Sequence, residues 1–294
     1  MEKQIGRLVT AMATPFDKEG NIDYQMVEKL IDHLIKNGSE AVVVHGTTGE
    51  SPTLTHEEEY ELYRVAKNVS NGRISVIAGT GSNSTKTTIK STQKAEEIGC
   101  DAALLVVPYY NKPSQEGLYQ HFKAVADNSS IPLILYNIPG RTGINMLPET
   151  IARLSQIKNF IGVKDAAGDV NQTSMIRMLC RKDFLIWSGD DSLTLPMLSV
   201  GGYGVISVAS HIVGNQIKRM IEAFIGGDIK TAQEIHIKLM PIFKVLFITS
   251  NPSPLKFALK KIGLDCGSPR LPLVEPLEKE KESIISVLKD LNLV

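Results

Sequence analysis

One lysine lies inside a run of apolar residues that otherwise has the composition of a buried β-strand. Lys164 follows Ile161, Gly162 and Val163, and Asp165 comes next. Burial disfavours the charged form of an amine. Such a lysine must therefore form an ion pair with an anion, lose its proton, or take part in a reaction. A neutral amine attacks carbonyl carbons, which makes Lys164 a candidate Schiff-base nucleophile. The strand alone leaves another interpretation open, in which Lys164 forms a salt bridge or extends to solvent at the strand end.

Eight short β-branched runs, each followed by a segment of helical periodicity, must position that lysine. The runs are nearly all apolar rather than alternating, as expected for parallel strands covered on both faces. Eight strand–helix repeats predict a (β/α)₈ TIM barrel of the α/β class rather than a doubly wound sheet. Between two of the runs, Thr55 and Glu58 have the spacing of a capping box at a helix start. The predicted strand cores are residues 8–10, 41–44, 75–78, 104–107, 133–136, 161–163, 185–187 and 205–208.

After about Gly226 the strand-type runs stop, and the rest of the chain has the periodicity of helices. Pro254 is expected in the first turn of one of them, where a missing N–H costs nothing. The sequence predicts a barrel carrying the active site over residues 1–227 and a C-terminal helical extension over residues 228–294. The helices expected in the extension are residues 229–247, 254–262 and 277–291.

Composition and charge restrict the class of protein. The chain has 294 residues, of which 43% are hydrophobic and 22% charged, as in ordinary globular proteins. Lys plus Arg equals Asp plus Glu at 32 each, so no net charge attracts nucleic acid or an anionic membrane. The beginning lacks an apolar signal segment, and no stretch is long enough to span a bilayer. Cys100, Cys180 and Cys266 are widely spaced and are expected to be buried thiols in a reducing compartment. We therefore expect a cytoplasmic protein.

Polar residues cluster at the ends of the predicted strands, where the active site of such a barrel lies. Strand two ends in a Gly-Thr-Thr-Gly segment at residues 46–49, whose amides and hydroxyls suit a carboxylate. Strand five ends in Tyr136, a candidate proton donor and acceptor, and Arg141 follows as a candidate carboxylate ligand. An ordinary loop, a packing tyrosine and a solvated arginine are the alternatives. The strand ends lack the His, Asp and Glu set that would hold a metal ion.

Three aspartates near the strand ends have simpler explanations than catalysis. Asp190 and Asp191 follow strand seven and are expected to cap a helix beginning near Ser192 rather than to bind a cation. Asp165, next to the candidate lysine, is expected to pair with a neighbouring cation.

Three segments, in this order, resemble the pyruvate-dependent class I aldolase family that includes N-acetylneuraminate lyase. They are Gly-Thr-Thr-Gly-Glu-Ser at residues 46–51, Tyr-Asn-Ile-Pro-Gly-Arg-Thr at residues 136–142, and Gly-Val-Lys-Asp at residues 162–165. The likeness runs from about Gly6 to residue 273, nearly the whole chain. It implies a TIM barrel that forms an imine with pyruvate, and chemistry of that kind requires no metal or organic cofactor.

The resemblance implies a role for each residue that matches the family pattern. Lys164 would form the imine with pyruvate, and Tyr136 would be the general acid and base. Thr47 would link Tyr136 to Tyr110, which in this family reaches in from a neighbouring subunit. The family suggests a homotetramer built as a dimer of dimers, with a dimer as the alternative.

Substrate binding is also carried over by resemblance. The loop at Thr47 and Thr48 would hold the pyruvate carboxylate together with the backbone near Ile206, and Gly189 would lie at the substrate. Arg141 and the Tyr109–Tyr110 pair indicate members that condense pyruvate with L-aspartate 4-semialdehyde in lysine and diaminopimelate synthesis. Arg141 would grip the carboxylate of that second substrate.

Family members inhibited by lysine bind it at a subunit interface, and this chain matches that candidate allosteric site only in part. Glu59 stands where the inhibited enzymes tend to have His, and Thr87 stands where they have a Glu that pairs with the lysine ammonium. Losing a charge partner weakens the binding of a cation, so the resemblance predicts weak or absent inhibition. The matching positions are Ser51, Pro52, His56, Asn83 and Tyr109.

Two other functions stay open at this point. A sialic acid or keto-deoxy-sugar aldolase would share Lys164 and Tyr136, but Arg141 and Tyr110 count against a polyhydroxylated substrate. A non-catalytic barrel that binds a small acid would use Lys164 only as a charge partner. Such a sensor usually carries a DNA-binding segment, and the sequence contains no basic helix-turn-helix candidate.

Overall fold

Eight parallel strands close into one barrel in the computed structural model, which describes residues 5–294. Each strand pairs with the next one in the chain, and the last pairs with the first. The predicted TIM barrel is confirmed, although residues 1–4 of its predicted span lie outside the described residues. The strands are β1 (Leu8–Ala11), β2 (Ala41–Val44), β3 (Ser75–Gly79), β4 (Ala102–Val106), β5 (Leu133–Asn137), β6 (Phe160–Asp165), β7 (Leu185–Ser188) and β8 (Gly204–Ser207).

Helices follow the strands and cover the outside of the barrel. The capping box at the start of the second helix is confirmed, because Thr55 accepts from the Glu58 N–H and Glu58 accepts from the Thr55 N–H. The helices are α1 (Tyr24–Lys36), α2 (His56–Ser70), α3 (Thr85–Ile98), α4 (Gln115–Ala126), α5 (Pro139–Thr142), α6 (Pro148–Ser155), α7 (Val170–Leu179), α8 (Thr194–Ser199), α9 (Ser210–Ile225), α10 (Ile229–Val245), α11 (Ser253–Lys261) and α12 (Glu278–Asp290), with 3₁₀ turns at Ser51–Thr53 and Asp191–Leu193.

The alternation of side chains along each strand creates two separate cores. In β2, Val42 and Val44 pack outward against the helices, whereas Val43 packs inside the barrel. Trp187 fills the barrel interior against β6, where a Cβ on Gly162 would lie 2.6 Å from the indole ring. Every second residue of a strand faces the interior, so the residue two positions beyond Gly162 on β6 faces it too.

The C-terminal extension consists of the three predicted helices, α10 to α12, with ends within two residues of those expected. Pro254 lies in the first turn of α11, as predicted. Buried residues of the extension, including Leu239 and Leu288, belong to the same outer core as the barrel helices. A buried ion pair of 2.7 Å between Lys256 and Glu50 also joins α11 to the loop after β2. The division at residue 227 stays a prediction.

All three cysteines are buried and none forms a disulfide. Burial raises the pKa of Cys100 and of Cys266 to about 12, so both thiols stay protonated and unreactive at neutral pH. None of the helices within residues 5–294 is both long enough and apolar enough to cross a membrane.

Candidate active site

Lys164 and Tyr136 face each other across adjacent strands at the carboxyl end of the barrel. They are register partners in the β5–β6 pairing, and the lysine Nζ lies 4.3 Å from the centre of the tyrosine ring. Both are buried, with exposed fractions of 6% for Lys164 and 5% for Tyr136. No carboxylate among the described residues makes an ion pair with this Nζ, so the salt-bridge alternative is not found there. The arrangement leaves a buried amine free to meet a ligand.

The segment at residues 46–49 brings two hydroxyls to the same place. Thr47 and Thr48 line a small inner pocket together with Lys164, and this pocket adjoins a larger cavity of about 270 Å³ through Thr47 and Tyr136. The Thr48 hydroxyl accepts a hydrogen bond of 2.9 Å from the Asn251 amide. Because that contact uses a lone pair, the proton of Thr48 remains available to a bound anion.

Asn251 is a site residue that sequence reasoning missed. It is 4% exposed, lies in the loop between α10 and α11, and lines the inner pocket with Phe247 from the same connection. Its side-chain oxygen is buried without a hydrogen-bond partner among the described residues. The only local signal was an Asn-Pro pair in a predicted helical extension, and nothing in it indicated a contact with Thr48, which is 203 residues away.

Gly189 is the residue whose lack of a side chain makes room for the lysine. A Cβ at this position would lie 3.1 Å from Lys164 Cε and 2.6 Å from Ala166 Cβ. Any larger residue would therefore force Ala166 to shift, because 2.6 Å is below the separation that real Cβ atoms show, and would crowd the lysine stem. Gly189 lines the inner pocket with Lys164, and its position beside the substrate stays a prediction.

The side chain of Ile206 lines neither pocket, and the binding role of the backbone near it stays a prediction. Its side chain is buried in the interior of the barrel, and it pairs with Val9 of β1. Val208, two residues further along the chain, lines the inner pocket with Lys164. The carboxyl end of β8 therefore reaches the pocket, and the residue that lines it is Val208.

Arg141 lies on the short helix α5 at the mouth, where it lines both the inner pocket and the larger cavity. Its side chain is exposed, and no carboxylate in the described part of the chain pairs with it. An exposed guanidinium near a buried amine is suited to bind a carboxylate and to hold it close to a ligand on the amine.

The two tyrosines after β4 behave differently. Tyr109 lines the larger cavity, whereas Tyr110 is 90% exposed and lines neither pocket. Tyr110 also has a left-handed backbone, with φ of 72°, which is uncommon for a bulky residue. A single copy of the chain does not bring the Tyr110 side chain to Lys164.

Three of the five candidate lysine-binding residues line the larger cavity. Ser51 and Pro52 line it with Tyr109, and the Asn83 amide donates to the Tyr109 carbonyl at 3.2 Å. Glu59 is buried, and its two oxygens lie 2.8 Å from His45 and 2.9 Å from His56. Its carboxylate is thus occupied by the protein itself.

The expectations for two of the three aspartates need correction. Asp165 makes no ion pair with any described cation; it accepts from the side-chain amides of Asn137 and Gln172, and burial raises its pKa to about 6. Asp190 does cap the 3₁₀ turn by accepting from the Ser192 N–H, as predicted. Asp191 instead is buried and accepts from the backbone N–H groups that follow β8, a long-range contact that the local pattern could not indicate.

A closed parallel barrel that buries a lysine against a tyrosine at the carboxyl ends of adjacent strands is the framework of a (β/α)₈-barrel lyase. The family model for the dihydrodipicolinate synthetase family matches residues 4–291. The chain is 54% identical over 290 residues to the 4-hydroxy-tetrahydrodipicolinate synthase of Cyanothece sp., covering 98% of this chain and 99% of that one. This chain belongs to the dihydrodipicolinate synthetase family.

Solved structures agree with this assignment. The dihydrodipicolinate synthase DapA-2 of Bacillus anthracis superposes with a TM-score of 0.96 at 50% identity, over 97% of this chain and 98% of that one. The dihydrodipicolinate synthase of Cyanidioschyzon merolae, solved with lysine bound, superposes with a TM-score of 0.97 at 47% identity, over 99% of both chains. The predicted family and the predicted barrel are both confirmed.

Proposed function

We propose that this chain is a 4-hydroxy-tetrahydrodipicolinate synthase, which condenses pyruvate with L-aspartate 4-semialdehyde in lysine and diaminopimelate synthesis. The observation that carries the proposal is the buried Lys164 amine, which faces the Tyr136 ring and the hydroxyl-bearing loop after β2. Full-length relatives with more than half of their residues identical bear that name, which supports the same substrates here.

The first half-reaction joins pyruvate to Lys164. The amine attacks the keto carbon, and the carbonyl oxygen leaves as water after Tyr136 supplies a proton. Thr48, with its proton directed away from Asn251, holds the pyruvate carboxylate. The imine then withdraws electrons from the adjacent methyl group, which loses a proton to become an enamine.

The second half-reaction uses Arg141 to place the other substrate. The guanidinium binds the carboxylate of L-aspartate 4-semialdehyde, and the enamine carbon attacks the aldehyde carbon, whose oxygen takes a proton. The amino group of this substrate then attacks the imine carbon, closes the ring and releases Lys164. The imine nitrogen serves as the electron sink throughout, so the proposed mechanism assigns no step to a metal or organic cofactor.

Borohydride reduction in the presence of pyruvate tests the proposal. We expect a reduced pyruvyl adduct on the Lys164 peptide, and turnover with L-aspartate 4-semialdehyde that exceeds turnover with sialic or keto-deoxy-sugar acids. An adduct with preference for sugar acids would instead identify a sugar-acid aldolase. A protein that binds pyruvate without forming an adduct would be a non-catalytic binder of small acids.

We further propose a cytoplasmic homotetramer in which Tyr110 of one subunit completes the proton path through Thr47 of its neighbour. In that case Tyr110→Phe and Arg141→Ala are each nearly inactive alone, but a mixed dimer has one intact site. After full subunit exchange at equal amounts we expect about a quarter of the wild-type activity, since half of the dimers are mixed and half of their sites are intact.

The matched control for subunit sharing is a mixture of Arg141→Ala with Lys164→Ala. Both residues belong to the same chain's site, so no combination of these subunits restores an intact one. Failure of the Tyr110→Phe mixture to exceed this control, after exchange is verified by mass spectrometry, would contradict sharing.

We predict that lysine inhibits this enzyme weakly or not at all. Both Glu59 oxygens already contact imidazoles, and Thr87 offers a hydroxyl, bonded to Ser84, where a carboxylate would bind an ammonium. Initial rates should therefore remain near the uninhibited value at millimolar lysine, and Thr87→Glu should increase inhibition. Half-inhibition of the wild type by sub-millimolar lysine would refute this prediction. The relative from Cyanidioschyzon merolae, which was solved with lysine bound, is a suitable comparison in the same assay.

A further inference from the structure

His45 joins β2 to the Gly-Thr-Thr-Gly loop in a backbone conformation that few side-chain-bearing residues adopt. Its φ is 65°, in the left-handed region. Two glycines allow the surrounding chain to approach it. A Cβ on Gly79 would lie 2.1 Å from the His45 carbonyl oxygen, and a Cβ on Gly49 would lie 3.2 Å from the His45 Cα. The start of the loop is therefore held in an unfavourable conformation inside a tightly packed wall of the larger cavity.

The His45 ring is held at both nitrogens. Nδ1 lies 2.7 Å from the Gly79 carbonyl oxygen, which only accepts, so Nδ1 carries a proton. The Tyr63 hydroxyl donates to the same carbonyl at 2.8 Å. Nε2 lies 2.8 Å from Glu59 Oε1, within ion-pair distance, although the angle of this contact is not that of a hydrogen bond. His45 is 6% exposed, and its ring bridges the loop to α2.

Glu59 is an ionised partner in this contact. It is 5% exposed, and its second oxygen lies 2.9 Å from Nδ1 of His56 at the surface. Burial raises the pKa of Glu59, but the contacts with His45 and His56 outweigh burial and lower the pKa below its ordinary value. A buried carboxylate is costly to leave unpaired, so Glu59 favours the observed position of the His45 ring.

The residues that follow His45 are those assigned to pyruvate. Thr47 and Thr48 lie two and three positions further on, and the far end of the loop has separate anchors. Thr14 donates to the Gly49 carbonyl at 2.7 Å, and Glu50 pairs with Lys256. The near end has the His45 side chain as its anchor to α2. Without it, the left-handed residue would relax and displace Thr47 and Thr48.

We propose that His45 and Glu59 are positioning residues, a clamp that sets the affinity of the loop for the pyruvate carboxylate. This inference rests on the proposed function, because it assigns pyruvate to the loop. It predicts a selective effect: the clamp acts on the pyruvate half of the site, whereas Arg141 for the second substrate lies on α5 and is independent of it.

Two variants break the clamp in different ways. Glu59→Leu removes the carboxylate, and His45→Asn keeps a residue that tolerates a left-handed backbone but is too short to reach Glu59. For each we expect the KM for pyruvate, and the pyruvate concentration for half-maximal borohydride trapping, to rise about tenfold. The KM for the aldehyde should stay within about twofold. Glu59→Gln keeps a side-chain oxygen beside Nε2 and should restore most of the affinity for pyruvate that Glu59→Leu loses.

The matched control is Lys67→Met, which breaks another ion pair of α2, the 2.9 Å contact with Asp101. It should leave both KM values unchanged, whatever it does to the melting temperature. Amide hydrogen exchange over residues 45–50 provides a readout without turnover. Exchange should accelerate in Glu59→Leu and His45→Asn but not in Lys67→Met.

Each result decides a separate question. If the folded clamp variants bind pyruvate like the wild type, or if both KM values rise together, the clamp is refuted. If one variant does not fold, the other carries the test. If the wild type itself traps no pyruvate, the proposed function fails, and unchanged loop exchange in the variants would then refute the positioning role as well.

Discussion

Lys164→Ala will lose the pyruvate adduct completely and will lose turnover by roughly 10⁴-fold or more, the scale that follows removal of a covalent nucleophile. The structural reason is that the described residues provide no second lysine at the inner pocket. Lys256, the other deeply buried lysine, is paired with Glu50 at 2.7 Å. The measurement is borohydride trapping with peptide mapping, together with single-turnover kinetics.

The same variant should keep its fold. Lys164 contributes no ion pair among the described residues and packs its amine over the Tyr136 ring, so its removal deletes a buried polar group rather than a structural contact. Lys164→Arg is the matched control, since it keeps a long basic side chain but lacks a nucleophilic amine, and it should be equally inactive. If Lys164→Ala has a melting temperature close to that of the wild type and also keeps turnover near the wild-type value, imine chemistry at this residue is excluded.

Tyr136→Phe is expected to lower kcat by about 10²–10⁴-fold, the usual contribution of a positioned general acid and base. The substitution removes only the hydroxyl, and the buried ring can still pack in the barrel interior beside Lys164. Pyruvate affinity should therefore change much less than kcat, because the proposed site assigns the carboxylate to the loop after β2. Trapping half-saturation and steady-state rates measure the two quantities separately.

The control for Tyr136 is Tyr203→Phe. The Tyr203 hydroxyl donates to the Ile5 carbonyl at 3.1 Å, close to the beginning of the barrel and outside both pockets at the mouth. Loss of that hydroxyl should leave kcat within about twofold of the wild type. If the two variants lose activity to the same extent, Tyr136 acts through stability rather than proton transfer.

Much of the framework followed from local patterns. Apolar runs predicted all eight strands, because parallel strands buried on both faces are mostly apolar and do not alternate with polar residues. The capping pair Thr55 and Glu58 predicted the start of α2, because its hydrogen bonds join residues three positions apart. Such features depend on near neighbours in the chain, which is why a single sequence contains them.

The candidate site was predicted in part for a different reason. In a parallel barrel every strand ends at the same rim, so Tyr136 and Lys164 had to converge once their strands were assigned. The structure then places the two residues as register partners on adjacent strands. The expectation for Asp165 was wrong because it considered only the charge of neighbours, whereas burial and two amide donors surround that carboxyl group.

The sequence by itself determined the barrel, its helical extension, the family, and the lysine and tyrosine at the rim, since each is expressed by periodicity or by a contiguous motif. Only the tertiary structure decided that Asn251 orients Thr48, that Gly189 makes space for the lysine, and that Glu59 binds His45. These contacts join side chains brought together by closure of the barrel and by docking of the extension. The local sequence does not indicate the partners in these contacts, because the contacts arise from packing between segments that are distant in the chain.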